Sequence, residues 1–420
     1  MALNAGQEEA VNGLLSFLAN PEEGYFVLRG FAGTGKTFCM QYLLKSTKVR
    51  LLFTAPTNKA TKVLRTTLTT DTYKPQCCTI YSALKLRLEA NGELKELKIP
   101  DDPVDLTQYD AVVVDEASMI PVKLFQVIQK VQSLQNLKFI FLGDPCQLPP
   151  VKEVESPVWK LQCPHATLSE VMRSGDAILD QATAIRGQIG KFLPNFTRVE
   201  THTPSEGVFW LPAPDVLAMI QSDIEVGNFQ KPECSKVIAW RNATVNSFNR
   251  MVRKRIFDHP EVPTWLQTDR LILTAPYDVN ENLRLNTDDE GTVTKTEVIK
   301  HPEYSDFTCW RLRVMLDTNM TADVIALHED SLVAYQRTLQ EKLEAARALP
   351  KLWRSYWNFI EAFAQVRHAY AITAHRSQGS TYDTAYVDWK DILVNRDRQE
   401  AFRCLYVAST RPKRRLVYLK

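Results

Sequence analysis

No stretch of this chain is apolar for the roughly 18 residues that a membrane-spanning helix needs. Its first residues, Met1-Ala2-Leu3-Asn4-Ala5-Gly6-Gln7, carry no basic-then-apolar leader, so a chain that is cytosolic, or nuclear by diffusion, with no membrane partner is expected. Cysteine is present without a pattern. Of eight, Cys77 and Cys78 are adjacent, the rest are scattered, and no C-x-x-C pair has a His or Cys partner. That speaks against a zinc site and, in a reducing compartment, against structural disulfides. Net charge is almost absent too: 51 Lys and Arg against 49 Asp and Glu leave +2. Any nucleic acid must therefore be held in a local groove rather than by bulk charge. There is no low-complexity tail and no repeat of fixed period.

What is present is the composition of an ordinary folded protein. Hydrophobic residues make up 45% of the 420, charged residues 24% and aromatics 10%, which excludes wholesale disorder, a collagen-like repeat and a small disulfide scaffold. The length predicts about two to four domains. Residues 7–19 place Ala10, Val11, Leu14, Leu15 and Leu18 on one helical face. Short apolar runs follow at 25–28, 51–53, 111–114 and 139–142, with helical patterns at 59–68 and 122–131 between them. This alternation predicts an α/β fold, a parallel sheet covered by helices on both faces. A second alternation starts after Ser174, with a helix at 177–186, strands at 208–211 and 236–240 and a helix at 245–256. It resumes beyond Ala369, with strands at 370–373, 385–387 and 416–419 and a helix at 399–407. Residues 262–366, with β-like runs, a charged Ala-rich helix and an aromatic one, read as an insertion into the second sheet domain. A smaller insertion, 78–105, interrupts the first. Its Asn91-Gly92 predicts a hairpin with a type I′ turn.

Gly30-Phe31-Ala32-Gly33-Thr34-Gly35-Lys36-Thr37 fits G-x-x-x-x-G-K-[ST] and falls between a predicted strand and a predicted helix. The chemistry needs these types at this spacing. The glycines let backbone N–H groups curl round phosphate oxygens, Lys36 reaches the terminal phosphates, and Thr37 ligates Mg²⁺. A chance glycine-rich turn does not match every position in that context. The run Val112-Val113-Val114-Asp115-Glu116 then delivers two carboxylates to the C-terminal edge of the sheet. Asp115 suits Mg²⁺, and Glu116 suits a base that deprotonates attacking water. No guanine-reading N-K-x-D is visible, which leaves ATP as the nucleotide and hydrolysis as the chemistry.

The order of motifs resembles that of superfamily 1 helicases, in the subclass of the phage Dda, RecD-like and Pif-like enzymes. Thr54-Ala55-Pro56-Thr57-Asn58-Lys59-Ala60 is similar to motif Ia, Thr79-Ile80-Tyr81-Ser82 to Ib and Asp115-Glu116-Ala117-Ser118-Met119 to II. Gly143-Asp144-Pro145-Cys146-Gln147-Leu148-Pro149-Pro150 resembles motif III, and Leu168-Ser169-Glu170-Val171-Met172-Arg173-Ser174 motif IV. Residues 370–379, ending Thr373-Ala374-His375-Arg376-Ser377-Gln378-Gly379, resemble motif V, and Leu405-Tyr406-Val407-Ala408-Ser409-Thr410-Arg411 motif VI. The match runs nearly end to end in family order.

The resemblance implies two RecA-like parallel-sheet domains, each with an insertion: a small β pin in the first, an SH3-like β module plus helices in the second. The expected boundaries are 1–77 with 106–174, pin 78–105, 175–261 with 367–420, and module 262–366. It implies a Mg²⁺–ATP-driven DNA helicase moving 5′→3′ on single-stranded DNA and acting at single-strand/duplex junctions. A monomer in the cytoplasm of a bacterial or phage-infected cell is expected, with other replication, repair or recombination proteins as further partners. No appended nuclease or relaxase domain is expected. Two alternatives stay open: an RNA helicase of the same superfamily, and a single-strand translocase or nucleoprotein remodeller with weak unwinding.

By the same resemblance, Gln7 reads adenine, Gly379 joins the nucleotide site, and Gln147 senses the γ-phosphate. Arg173 and Arg411 act as arginine fingers. Pro56, Thr57, Asn58 and Thr79 hold one end of the DNA strand, Thr373 and His375 the other. Outside the motifs, such arginines are often surface ion-pair partners and such a histidine a buried structural one. The basic cluster Arg250, Arg253, Lys254 and Arg255 reads as a solvated helix face. In the cluster Arg411, Lys413, Arg414 and Arg415, only Arg411 carries a role. Trp353, Tyr356, Trp357, Phe359 and Phe363 have helical spacing, so core packing between the inserted module and the second sheet is expected rather than base stacking. Two departures stand out. Residues 86–100 contain no aromatic, leaving an aliphatic residue such as Leu94 to split the duplex, and Asn58 replaces a histidine of the Dda enzyme. Residues 285–293 look like a shortened SH3-like module.

Overall fold

The apolar runs expected in the N-terminal part all pair as strands of one parallel sheet. The computed structural model describes residues 3–69, 74–100, 104–170, 177–192, 194–203, 205–258 and 263–420. It divides into two units, Met1–Leu86 with Ile99–Leu211 and Ser377–Lys420, and Arg87–Lys98 with Pro212–Arg376.

In the first unit the sheet runs Gln76–Thr79, Leu51–Ala55, Ala111–Val114, Lys138–Gly143, Tyr25–Gly30, His165–Leu168. Every neighbouring pair is parallel. Ala111–Val114 is buried at every residue, as a strand covered on both faces must be. The helix Ala5–Ala19 begins with a capping box, in which Asn4 and Gln7 exchange side-chain and backbone bonds. Leu14 and Phe17 from it, Met40 and Leu43 from Lys36–Ser46, and Leu64 from Asn58–Leu68 pack with Phe26, Phe53, Val113 and Ile140. Each fully buried side chain of this size contributes about 1.5–3 kcal/mol, so the strands are the rigid part of the unit. Because all are parallel, the turns after Gly30, Ala55, Thr79, Val114 and Gly143 emerge at one edge, where ligands of such sheets bind.

A second set of parallel strands follows, in keeping with the expected α/β class. Of the second set, Gly207–Leu211, Pro412–Leu419 and Tyr382–Val387 pair in parallel within the first unit. Ser235–Ala239 and Ala371–Thr373 do so within the second.

The second unit also holds an antiparallel five-stranded sheet in the order Thr321–Leu327, Thr308–Leu316, Glu290–Lys300, Arg270–Leu273, Val366–His368. Trp265, Leu271, Trp310, Val314 and Val324 form its core. The Ala-rich helix is Leu332–Ala348 and the aromatic one Trp353–Glu361. Among the described residues, no helix is long and apolar enough to cross a membrane.

Three details differ from the sequence reading. The hairpin joins Arg87–Asn91 to Leu94–Lys98, with Asn91 opposite Leu94. The central turn residues are therefore Gly92 and Glu93, not Asn91 and Gly92, and Gly92 at φ +62° takes the position where a type II′ turn needs glycine. Arg253 is not on a solvated face. It is 7% exposed, and its Nε donates to both carboxylate oxygens of fully buried Asp269, at 2.8 and 3.0 Å. Tyr370 Oη donates to the same carboxylate at 2.8 Å. The aromatic helix, finally, splits its stripe. Phe359 and Phe363 pack inside the inserted module against Phe307 and Cys309, whereas Trp357 Nε1 donates to the Gly92 carbonyl at the hairpin turn, 2.9 Å away. Arg347 pairs with Glu93 beside it, Nε to Oε1 at 3.0 Å.

Candidate active site

The phosphate loop follows Tyr25–Gly30 and ends at the N-terminus of Lys36–Ser46. Gly33 and Gly35 lie at φ +78° and +86°, conformations open to glycine at little cost. Gly35 is the helix N-cap. Lys36 Nζ donates to the carbonyls of Gly30 (2.6 Å) and Phe31 (3.2 Å), and Thr34 Oγ1 donates to Phe31 (2.9 Å). Gln7 is buried, and both ends of its amide are engaged. Nε2 donates to the Thr34 carbonyl at 3.1 Å, while Oε1 accepts from the Asn4 N–H at 3.2 Å. The residue expected to read adenine thus ties the first helix to the phosphate loop. Arg186 lies over the Phe31 ring at 3.6 Å.

Asp115 and Glu116 leave the strand next but one to the phosphate-loop strand. The Asp115 N–H donates to the Thr54 carbonyl (2.8 Å), and the Glu116 N–H to Asp115 Oδ1 (2.8 Å). Glu116 adopts φ +52°, ψ 42°, a strained conformation for a non-glycine residue that surrounding structure must enforce. Burial and then the neighbouring Asp115 hold its carboxyl up to about 7, opposed by Arg411 and Lys36. Burial also raises Asp115, against Lys36. The lysine's charge acts on both carboxylates, so they stand at the phosphate loop.

Arg411 is 6% exposed. It donates to the carbonyls of Val407 (2.9 Å) and Ser380 (3.0 Å) and to Thr410 Oγ1 (2.8 Å). Three of the five N–H donors of a guanidinium are used in this way. Burial lowers its pKa and Glu116 is the largest opposing influence, which sets the arginine's charge against the Glu116 carboxyl. Gln147 Oε1 accepts from Gln378 Nε2 at 3.0 Å, and that amide also donates to Ser118 Oγ at 3.3 Å. Motifs II, III and V therefore meet at one buried amide. Arg173 lies outside the described residues.

Among the strand-binding candidates, Thr57 and Thr79 are both helix N-caps; their hydroxyls accept from the N–H of Ala60 (3.2 Å) and Ser82 (3.1 Å). Asn58 opens the first of these helices, and Pro56 precedes the cap. A hydroxyl oxygen that accepts a capping bond still has its proton to donate to a phosphate. A Cβ on Gly379, which lies at φ +74°, would stand 3.5 Å from Thr57 Oγ1. Gly379, expected in the nucleotide site, thus lies beside Thr57, one of the strand-binding candidates. In the second unit, Thr373 repeats the pattern, its Oγ1 accepting from the Arg376 N–H at 3.3 Å, and His375 is exposed on the short helix Ala374–Ser377.

Sequence reading missed Asp144, Gln378, Arg403 and Tyr406. Three lie inside motifs III, V and VI, where only their neighbours were given roles, and Arg403 stands just before motif VI. Their partners are distant in sequence, and no local signal announces them.

A glycine-shaped phosphate loop, an Asp-Glu pair at the end of a nearby parallel strand and a buried arginine set against the glutamate define a nucleoside triphosphatase of the P-loop class. The comparisons carry this further. The family described as an AAA domain matches residues 2–195, and the UvrD-like helicase C-terminal domain matches residues 368–419. The ATP-dependent DNA helicase Dda of Enterobacteria phage T4 is 24% identical over 461 residues, covering 99% of both chains. An uncharacterized protein of Acanthamoeba polyphaga mimivirus is 26% identical over 493 residues, also covering 99% of both. Among solved structures, one of Pif1 helicases at forked duplex DNA is 15% identical with a TM-score of 0.55, covering 99% of this chain and 92% of that one. A Bacteroides Pif1 helicase with ADP-AlF3 and single-stranded DNA is 16% identical, with a TM-score of 0.52 and the same coverage. These two likenesses establish the fold. From its N-terminal AAA domain match to its C-terminal UvrD-like helicase match, and over its length to the phage enzyme, the chain is similar to superfamily 1 helicases.

Proposed function

We propose that this protein is a DNA helicase that hydrolyses Mg²⁺–ATP to move 5′→3′ along single-stranded DNA and to open duplex at junctions. The observation that carries the reading is the grouping of Lys36, Asp115, Glu116 and Arg411 in one unit, with Arg411 and Lys36 both acting on the Glu116 carboxyl. In this reading the glycine-shaped loop, including Gly30, Ala32, Gly33, Thr34 and Gly35, cradles the phosphates and Lys36 bridges the outer two. Glu116 takes the proton of the attacking water, and Arg411, with Arg173, stabilises charge on the transferred phosphoryl group. Gln7 braces the loop at the adenine end, and Gln147 registers the γ-phosphate.

The residues fit a magnesium ion. Thr37 and Asp115 offer hard oxygen donors, and Asp115 has one carboxylate oxygen beyond that engaged by the Glu116 N–H. When bound, the ion neutralises charge between the outer phosphates. Pro56, Thr57, Asn58 and Thr79 contact one end of the DNA strand and Thr373 and His375 the other, the hydroxyl, amide and imidazole groups holding phosphates without reading sequence, as a translocating motor requires.

The division into domains 1–77 with 106–174, 78–105, 175–261 with 367–420 and 262–366 belongs to the same proposal. The hairpin is its wedge: Leu94 is 68% exposed, on a turn braced by Trp357 and Arg347. The direction of travel comes from the subclass. A monomer in the cytoplasm of a bacterial or phage-infected cell, working with replication or repair proteins, completes the reading.

ATPase rates with DNA and RNA oligomers of one sequence test it. Stimulation by DNA alone is expected. Stimulation by RNA alone would move the activity to an RNA motor, equal stimulation would overturn the preference for DNA, and no stimulation by either would remove the motor.

A further inference from the structure

The helix Arg398–Ser409 carries Arg403 and Tyr406 three residues apart, hence on one face. Tyr406 is 1% exposed. Its Oη accepts from the N–H of Ala32 in the phosphate loop at 3.2 Å and donates to Asp144 Oδ2 at 2.5 Å. Asp144 is fully buried at the end of its strand. Its other oxygen accepts from the Cys146 N–H at 2.9 Å, and its carbonyl accepts from the Gln147 N–H at 3.1 Å, closing a tight turn that carries Gln147. Arg403 Nη1 grips the same turn, donating to the carbonyls of Pro145 (2.6 Å) and Gln147 (2.8 Å). Burial and the adjacent Asp144 push the Tyr406 phenol up from its ordinary pKa, so it keeps the proton it donates.

Resting on the reading of this site as an ATPase, we infer that Tyr406 and Arg403 are positioning residues that hold the Gln147 turn against the phosphate loop and thereby set ATP turnover rather than ATP affinity. One phenolic oxygen joins two segments that flank the phosphates. A tyrosine serving only the core would need neither partner, since a ring packs equally well without its oxygen. A buried carboxylate, by contrast, has to be given donors. The phenol satisfies that requirement and spends its acceptor lone pair on the loop. Arg403 adds two bonds to backbone carbonyls, which fix the turn's orientation whatever side chains it carries.

Tyr406→Phe separates these roles because it keeps the ring and removes one atom. ATPase assays with saturating single-stranded DNA should show kcat reduced about tenfold or more and KM for ATP within about twofold. Adding Asp144→Asn removes the stranded charge. In Tyr406→Phe/Asp144→Asn the melting temperature should return toward wild type while kcat stays low, because the Ala32 N–H still lacks its partner. If Tyr406→Phe does not fold, Arg403→Lys gives the second reading: one ammonium cannot reproduce the guanidinium's grip, and the same loss of kcat at constant KM is expected. Unchanged kcat in folded Tyr406→Phe, or recovery of both stability and kcat in the double variant, would overturn the inference. So would a change confined to KM. Wild-type protein that hydrolyses no ATP would instead overturn the ATPase reading and take this inference with it.

Discussion

Arg411→Met is the substitution whose outcome separates chemistry from packing most cleanly. Methionine keeps an unbranched stem in the space of a residue that is 6% exposed and removes the charge together with its bonds to Val407, Ser380 and Thr410. At about 0.5–1.5 kcal/mol net for each of the three bonds, stability should fall by about 1.5–4.5 kcal/mol, a measurable drop that need not unfold the protein. The catalytic loss is set by different physics. An arginine finger contributes about 10³–10⁵ in rate, and Arg411 is the leading positive influence on the Glu116 carboxyl. The rate should therefore fall by at least about a hundredfold, or about 2.7 kcal/mol in the barrier. The assay is DNA-stimulated ATP hydrolysis at saturating ATP, on protein whose melting curve and nucleotide binding show it folded. A folded Arg411→Met enzyme turning over within about tenfold of wild type would refute the assignment of Arg411 to the transition state.

Other consequences are as direct. Lys36→Ala should abolish turnover and weaken nucleotide binding, read by fluorescent-nucleotide titration. Glu116→Gln should retain ATP and DNA binding and stop hydrolysis, and near-normal turnover would remove Glu116 from its role as base. Trp357→Phe keeps an aromatic ring but shrinks the indole to a phenyl and deletes the bond to the Gly92 carbonyl; combined with Glu93→Gln, it should slow unwinding of a fork while leaving single-strand-stimulated ATPase within about twofold, since neither residue touches the nucleotide site. Arg253→Met strands the fully buried Asp269 carboxylate and should cost about 3–5 kcal/mol, seen as a lower melting transition with no specific effect on KM for ATP.

The nucleotide site was legible in the sequence because its residues are contiguous and the geometry they need is local. Gly33 and Gly35 supply positive φ within one loop, and Asp115 and Glu116 end one apolar strand. What the sequence could not give are partners set by tertiary packing. Asp269 rescues Arg253 from the solvated role that the charge cluster suggested. Asn91-Gly92 favours one turn, but the pairing of Asn91 with Leu94 fixes another, and Trp357 and Arg347 then hold it from a different part of the chain. Tyr406 meets Asp144 and Ala32 across hundreds of residues. Helical spacing explains why Phe359 and Phe363 are core, yet it carries no sign that Trp357 on the same helix is committed to the hairpin.

The central claim, a motor that runs 5′→3′ and splits duplex, is tested most directly with forked DNA bearing a single-stranded tail on either the 5′ or the 3′ side, in the presence of ATP and Mg²⁺. Strand release from the 5′-tailed fork alone is the predicted result, lost in Glu116→Gln. Release from the 3′-tailed fork alone would contradict the direction of travel. ATP hydrolysis on single-stranded DNA with neither fork opened would contradict the helicase itself and leave a translocase.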